Sequence, residues 1–102
     1  MAVKNYFSTV DIACLVVENL DPESAVSTVV QAFTADVTPT GDTVFSVLFD
    51  FGDGNTSPGV LGVAPSYSAS NTYATAADYL VKVIATSTTG IVEELHTVIT
   101  VT

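Results

Sequence analysis

Apolar and polar positions alternate most strictly near the C-terminus. Tyr79, Val81, Val83 and Ala85 interleave with Leu80, Lys82, Ile84 and Thr86, and Leu95, Thr97, Ile99 and Val101 interleave with Glu94, His96, Val98 and Thr100. A period of two marks a β-strand, whose successive side chains point to opposite faces. Each run therefore predicts one two-faced strand. Between them, Ser87-Thr88-Thr89-Gly90 supplies turn formers and a glycine free to take positive φ, so the two strands are expected to pair as an antiparallel hairpin. Upstream, Ile12 to Glu18, Val26 to Val37 and Val44 to Phe51 predict three further strands. Asn19 to Glu23, with its Asp21-Pro22 breaker, and Thr38-Pro39-Thr40-Gly41-Asp42 separate them. Thr56 to Ser70 holds Pro58, Gly59, Gly62 and Pro65 and reads as a long connection with at most one short edge strand. Helix competes only over Pro22 to Ala32, where Asp21 would cap it, and a β-branched, Ser/Thr-rich context disfavours it. The expected fold is all-β: a two-sheet antiparallel sandwich of about seven strands.

Composition bounds what such a sandwich is for. The chain has 102 residues, 48% of them hydrophobic and 13% charged, enough to bury a core without metal or disulfide support. Residues 12–102 are read as one sandwich domain and residues 1–11 as an N-terminal arm or lead-in strand. Apolar runs fall well short of the roughly 18 residues that span a bilayer. The mean hydropathy of +0.51 points to apolar surface covered by a partner or by a second copy of the chain. Eleven acidic residues stand against Lys4 and Lys82, giving a net charge of -9. That balance excludes nucleic acid and anionic membrane as partners, because both call for clustered Lys and Arg. Cys14 has no partner for an internal disulfide and, among Ile12, Ala13, Leu15 and Val16, reads as a small buried hydrophobe. The N-terminal MAVKNYFSTV lacks the apolar run of a secretory leader.

The densest chemistry lies in FDFGDGN, residues 49 to 55. Phe49 and Phe51 are two apart and so share a strand face, expected to be the core face, while Asp50 points the other way. Gly52 and Gly54 free the backbone for a turn, and Asp53 is placed to accept backbone N–H groups as an Asx turn. Asp50, Asp53 and Asn55 are also hard oxygen ligands, which makes calcium a minor alternative, though their spacing is not that of an EF-hand and no nearby Glu closes the set. No cofactor is expected.

This run, followed by Asn71-Thr72-Tyr73 and by Tyr79 in a Tyr-x-Val-x-Val strand, resembles the PKD domain, an immunoglobulin-like β-sandwich. That family carries a Trp-Asp-Phe-Gly-Asp-Gly run, then His-x-Tyr and Gly-x-Tyr. Asp50, Phe51, Gly52, Asp53, Gly54, Tyr73 and Tyr79 match, while Phe49 stands at the Trp position, Asn71 at the His and Ala77 at the Gly. The resemblance covers about residues 26 to 101. It implies a PKD-type sandwich, with Tyr79 returning its hydroxyl to a loop carbonyl as a tyrosine corner.

Catalytic readings find little support. A glycosidase pair of carboxylates needs a cleft that holds a sugar, and a chain without Trp or Arg offers few groups for one. His96 is the only histidine, and no Gly-x-Ser-x-Gly elbow accompanies it. A phosphate loop is excluded because no helix or lysine follows Gly52 and Gly54. A non-enzymatic structural protein docking on a larger assembly is the leading expectation. By size and architecture it is similar to the decoration (cement) proteins of bacteriophage capsids, with a capsid shell protein as partner and the virion surface as location. An initial Met, no leader and an end directly after the last strand favour it, and Lys4, Tyr6 and Phe7 are the expected partner contacts. The alternative is an extracellular PKD accessory module for protein or polysaccharide binding, excised from a larger secreted or surface protein.

Overall fold

The computed structural model describes residues 14–102. Within them the strands are β1 (Cys14–Asp21), β2 (Ser24–Ala25), β3 (Val30–Thr40), β4 (Val44–Asp50), β5 (Thr56–Pro58), β6 (Val60–Leu61), β7 (Ser66–Thr72), β8 (Ala77–Ser87) and β9 (Val92–Val101). They form an immunoglobulin-like sandwich of two sheets, ordered β2-β9-β8-β4-β5 and β1-β3-β7-β6. Lys4, Tyr6, Phe7 and the arm at 1–11 lie outside the described residues.

Period two builds the core as anticipated. On β8, Val81, Val83 and Ala85 are fully buried, and Ile99 and Val101 of β9 join them, whereas Glu94, His96, Val98 and Thr100 face outward. The two strands pair antiparallel through Ser87 to Ile91, closed by Ser87 N–H on the Ile91 carbonyl at 2.8 Å. From the other sheet Leu15, Leu20, Phe33, Ala35 and Val37 join the cluster. Leu20 reaches it through a β-bulge. The register of β1 shifts between Glu18 and Asp21, and Asn19 takes φ +57°, which turns Leu20 inward where strict alternation would have sent Asn19.

Several sequence expectations are corrected. Thr56 to Ser70 is not a long connection: it contains β5, β6 and most of β7, and β7 pairs with β3 from Val30↔Thr72 to Asp36↔Ser66. Proline and glycine mark sheet edges and a crossing here, and pairing with β3 overrides the weak β-propensity of SYSASNT. Val26 to Val29 precedes the strand as a turn, with Thr28 at φ +64° and its N–H on the Tyr73 carbonyl at 2.7 Å. Thr38-Pro39-Thr40 lies within β3, so the turn is only Gly41-Asp42-Thr43. The strand expected over Ile12 to Glu18 runs on to Asp21. Cys14 is half-buried at the start of β1, opposite Thr40. The sandwich is not wholly antiparallel either, because β2 lies parallel to β9 in the register Thr100↔Ser24 and Val101↔Ala25.

Gly59 makes the crossing between sheets. A Cβ there would lie 2.9 Å from the Phe49 ring and 3.0 Å from a Val47 methyl, so only glycine lets the backbone lie this close to the core. Its N–H bonds the Val47 carbonyl at 2.7 Å, which keeps the chain on β4 until the step to β6.

Candidate functional site

Two polar clusters and one apolar groove stand out, and the clusters cap opposite ends of the sandwich. At one end β4 runs into FDFGDGN. Phe49 and Phe51 are buried, their rings 6.3 Å apart, and Phe51 also lies 5.3 Å from Phe33. The turn beyond is held by its own carboxylates. Asp50 Oδ1 accepts the Gly52 N–H at 3.0 Å, and Asp53 Oδ1 accepts the Asn55 N–H at 3.0 Å. Asp53 Oδ2 accepts Asn71 Nδ2 at 2.9 Å and Asn55 Nδ2 at 3.2 Å. Partial burial alone would raise the Asp53 pKa, but the hydrogen bonds from Asn71 and Asn55 outweigh it and hold the carboxyl below its ordinary value. Both oxygens of Asp53 thus face N–H donors that a cation would have to displace. Among the described residues, no three His, Cys, Asp or Glu side chains converge on a point where a metal ion fits.

Tyr73 locks this turn from below. Its buried hydroxyl donates to the Phe51 carbonyl at 2.8 Å, and its ring lies 4.5 Å from that of Tyr79. Tyr79 donates to the Thr75 carbonyl at 2.8 Å, the tyrosine-corner geometry in which a strand tyrosine pins the loop before it. Burial, reinforced by the Asp53 charge, pushes the Tyr73 phenol up to about 12, so it stays a donor at physiological pH. Replacing Tyr73 by Phe is expected to cost about 1–3 kcal/mol in urea unfolding, since the Phe51 carbonyl is left without its buried donor. The phenol's pKa is higher folded than its unfolded value of about 10. Its contribution is therefore full below about pH 10 and lost as pH rises through the folded value, and the Phe variant should lack that alkaline decline.

The opposite end carries a cluster that the sequence did not announce. Asp42, in the β3–β4 turn, accepts the Thr43 N–H and the Thr88 hydroxyl on Oδ1, each at 2.8 Å, and the Thr89 hydroxyl on Oδ2. Thr43 and Thr88 add a hydroxyl pair at 2.9 Å and a backbone bond at 3.0 Å. One carboxylate thus clasps the β3–β4 turn to the β8–β9 turn. The Thr89 hydroxyl first, with the Thr43 N–H and the Thr88 hydroxyl among the other donors, draws its pKa down to about 2. A folded pKa below the unfolded value of about 3.9 stabilises the fold above about pH 4, and that contribution is lost as pH falls through the folded value. Asp42→Asn is expected to flatten this acid limb, as read from denaturant midpoints at stepped pH.

Beside the clasp, Val37, Pro39, Val44, Leu61, Pro65 and Tyr67 line an open apolar groove of about 250 Å³, to which Thr43 also contributes. It lies at the far end of the sandwich from FDFGDGN. Exposed apolar side chains on the nearby β4 start and the β6–β7 segment include Phe45, Val60, Leu61 and Val63, the last 87% exposed.

No family model matches the chain, and no curated protein matches it. Solved structures do. A structure of carbohydrate-binding modules from the β-sandwich superfamily, described for promiscuous specificity, is similar at 22% identity and TM-score 0.65, over 88% of this chain and 34% of that one. The PKD1 domain of the Vibrio cholerae metalloprotease PrtV is similar at 23% identity and TM-score 0.52, over 87% and 93%. The PKD1 domain of Vibrio anguillarum Epp is similar at 20% and 0.55, over 87% and 92%. The fold is a PKD-like β-sandwich. At these identities the likeness is one of fold, and the chain spans about a third of the carbohydrate-binding structure.

Within the PKD-like frame, the three departures from the family run are accommodated. Phe49 fills its position as a fully buried ring beneath Gly59, Asn71 supplies an amide N–H to Asp53, and Ala77 opens β8. His96 faces outward on β9 with Nδ1 3.2 Å from Glu94 Oε2.

Proposed function

We infer that the chain is a non-catalytic, PKD-like accessory module that works by docking on a protein surface in an extracellular setting. The observation that supports this is how the functional groups are distributed. Asp50, Asp53, Asn55, Asn71, Tyr73 and Tyr79 are occupied in bracing one turn, while the exposed apolar surface is mainly aliphatic. A catalytic pair needs carboxylates with separated pKa values in a cleft, and these sit in a hydrogen-bonded turn. Protein is favoured over polysaccharide because sugar rings are held on exposed aromatic platforms, whereas Phe33, Phe49, Phe51 and Tyr73 are in the core and Phe45 is the exposed ring among the described residues. The PKD1 neighbours, one of them from a metalloprotease, add fold-level analogy. The capsid-decoration reading and its virion location draw no support from the neighbours described above.

Two measurements test the module reading. Sedimentation with insoluble chitin, cellulose and mannan should leave the protein in the supernatant, and retention on any of them would transfer the role to polysaccharide binding. The coding region is the second: a frame continuous with a catalytic or surface domain supports the module, whereas flanking capsid and portal genes would return the role to the virion.

A further inference from the structure

We propose that the groove beside Asp42 seats an apolar side chain of a basic protein segment, a leucine or aromatic residue flanked by lysine or arginine. This rests on the protein-docking reading above and adds the place and chemistry of the contact. The groove is an outward continuation of the core: Val37 on its wall is buried, and Val44 and Tyr67 pack against the core cluster. A side chain seated there loses its water on several sides, which makes the anchor of a docking contact rather than a wet touch. Leu61 and, from the same β6–β7 segment, Val63 extend apolar surface beyond it, and no charged residue lines it among the described residues.

Charge selects the occupant. Asp42 immediately precedes Thr43 of the lining, and the donors from Thr43, Thr88 and Thr89 keep its carboxylate ionised beside the groove. The chain as a whole carries -9. A second copy would bring the same charge and be repelled, and an acidic partner likewise. A cationic segment is drawn toward this end, and its apolar residue gains the groove.

Three short synthetic peptides decide the matter, titrated into methyl-labelled protein and followed by NMR. One has a central phenylalanine among lysines, a second replaces each lysine by glutamate, and a third replaces the phenylalanine by serine. The lysine–phenylalanine peptide should shift the methyl signals of Val37, Val44 and Leu61 and weaken with added salt, while its two twins leave those signals in place. Asp42→Asn should weaken its binding roughly two- to fivefold, the size of an exposed ion pair. Val63→Ser, at a position too exposed to disturb the fold, should weaken binding while leaving the melting temperature unchanged. Equal binding by the glutamate twin, or no shift with any peptide, overturns the proposal. Shifts centred instead on the Leu80 and Val98 methyls of the outer five-stranded face refute the groove but leave a protein-docking module standing. Retention on polysaccharide removes the protein-docking reading itself.

Discussion

Truncating Phe51 to Ala is expected to lower the unfolding free energy by about 3–5 kcal/mol in urea melts. The ring is 1% exposed and lies against Phe33 and Phe49, so its removal opens a cavity among groups held in place by the two sheets. The backbone of residue 51 keeps its own bonds, N–H to the Asn55 carbonyl at 3.1 Å and carbonyl from Tyr73 at 2.8 Å, so the loss reports packing rather than turn failure. Leu48→Ala supplies the control, since that side chain is on the outer face of β4, the strand that leads directly into Phe51, and is 37% exposed. Its cost should be clearly smaller, and equal losses at the two positions would mean that the strand's inner and outer faces have been assigned wrongly.

Gly52→Ala is expected to cost about 2–5 kcal/mol, for two reasons that act together. Gly52 has φ +81°, and a Cβ on it would come 2.3 Å from the Leu80 carbonyl oxygen, which belongs to the β8 backbone and cannot swing aside. Gly54 separates the two contributions. It has φ +94° with nothing within 4 Å of its Cβ position, so Gly54→Ala should carry only the conformational part, about 1–2 kcal/mol. Similar losses for both variants would refute the clash with β8.

The contrast between these neighbours shows what was legible in the sequence. Both glycines announce a turn after Phe51, but the approach of β8 to Gly52 is a tertiary fact. Strands β4, β8 and β9 were readable because each alternates against a buried face over several residues. The β7 strand was not, since Ser66, Ser68 and Ser70 turn small hydroxyls outward and the pairing that makes it a strand comes from β3, more than thirty residues earlier in its register pair Val30↔Thr72. The motif cluster was legible for the opposite reason: Asp50 accepts from Gly52 and Asp53 from Asn55, partners only two positions apart. Asp42 lies 46 and 47 residues from Thr88 and Thr89, and no local pattern joins them. The groove draws its lining from β3, β4, β6, β7 and the loop before β7, so only the folded chain reveals it.

The crossing at Gly59 bears on how the molecule comes apart. Pro58 is bonded into the five-stranded sheet and Val60 into the four-stranded one, with a single residue between them. Peeling β5 from β4 therefore drags β6 from β7, and the Tyr73 bond to Phe51 couples β4 to the chain just past β7 a second time. Opening either sheet at this edge therefore disturbs the other, a coupling that works toward unfolding as one cooperative event rather than sheet by sheet.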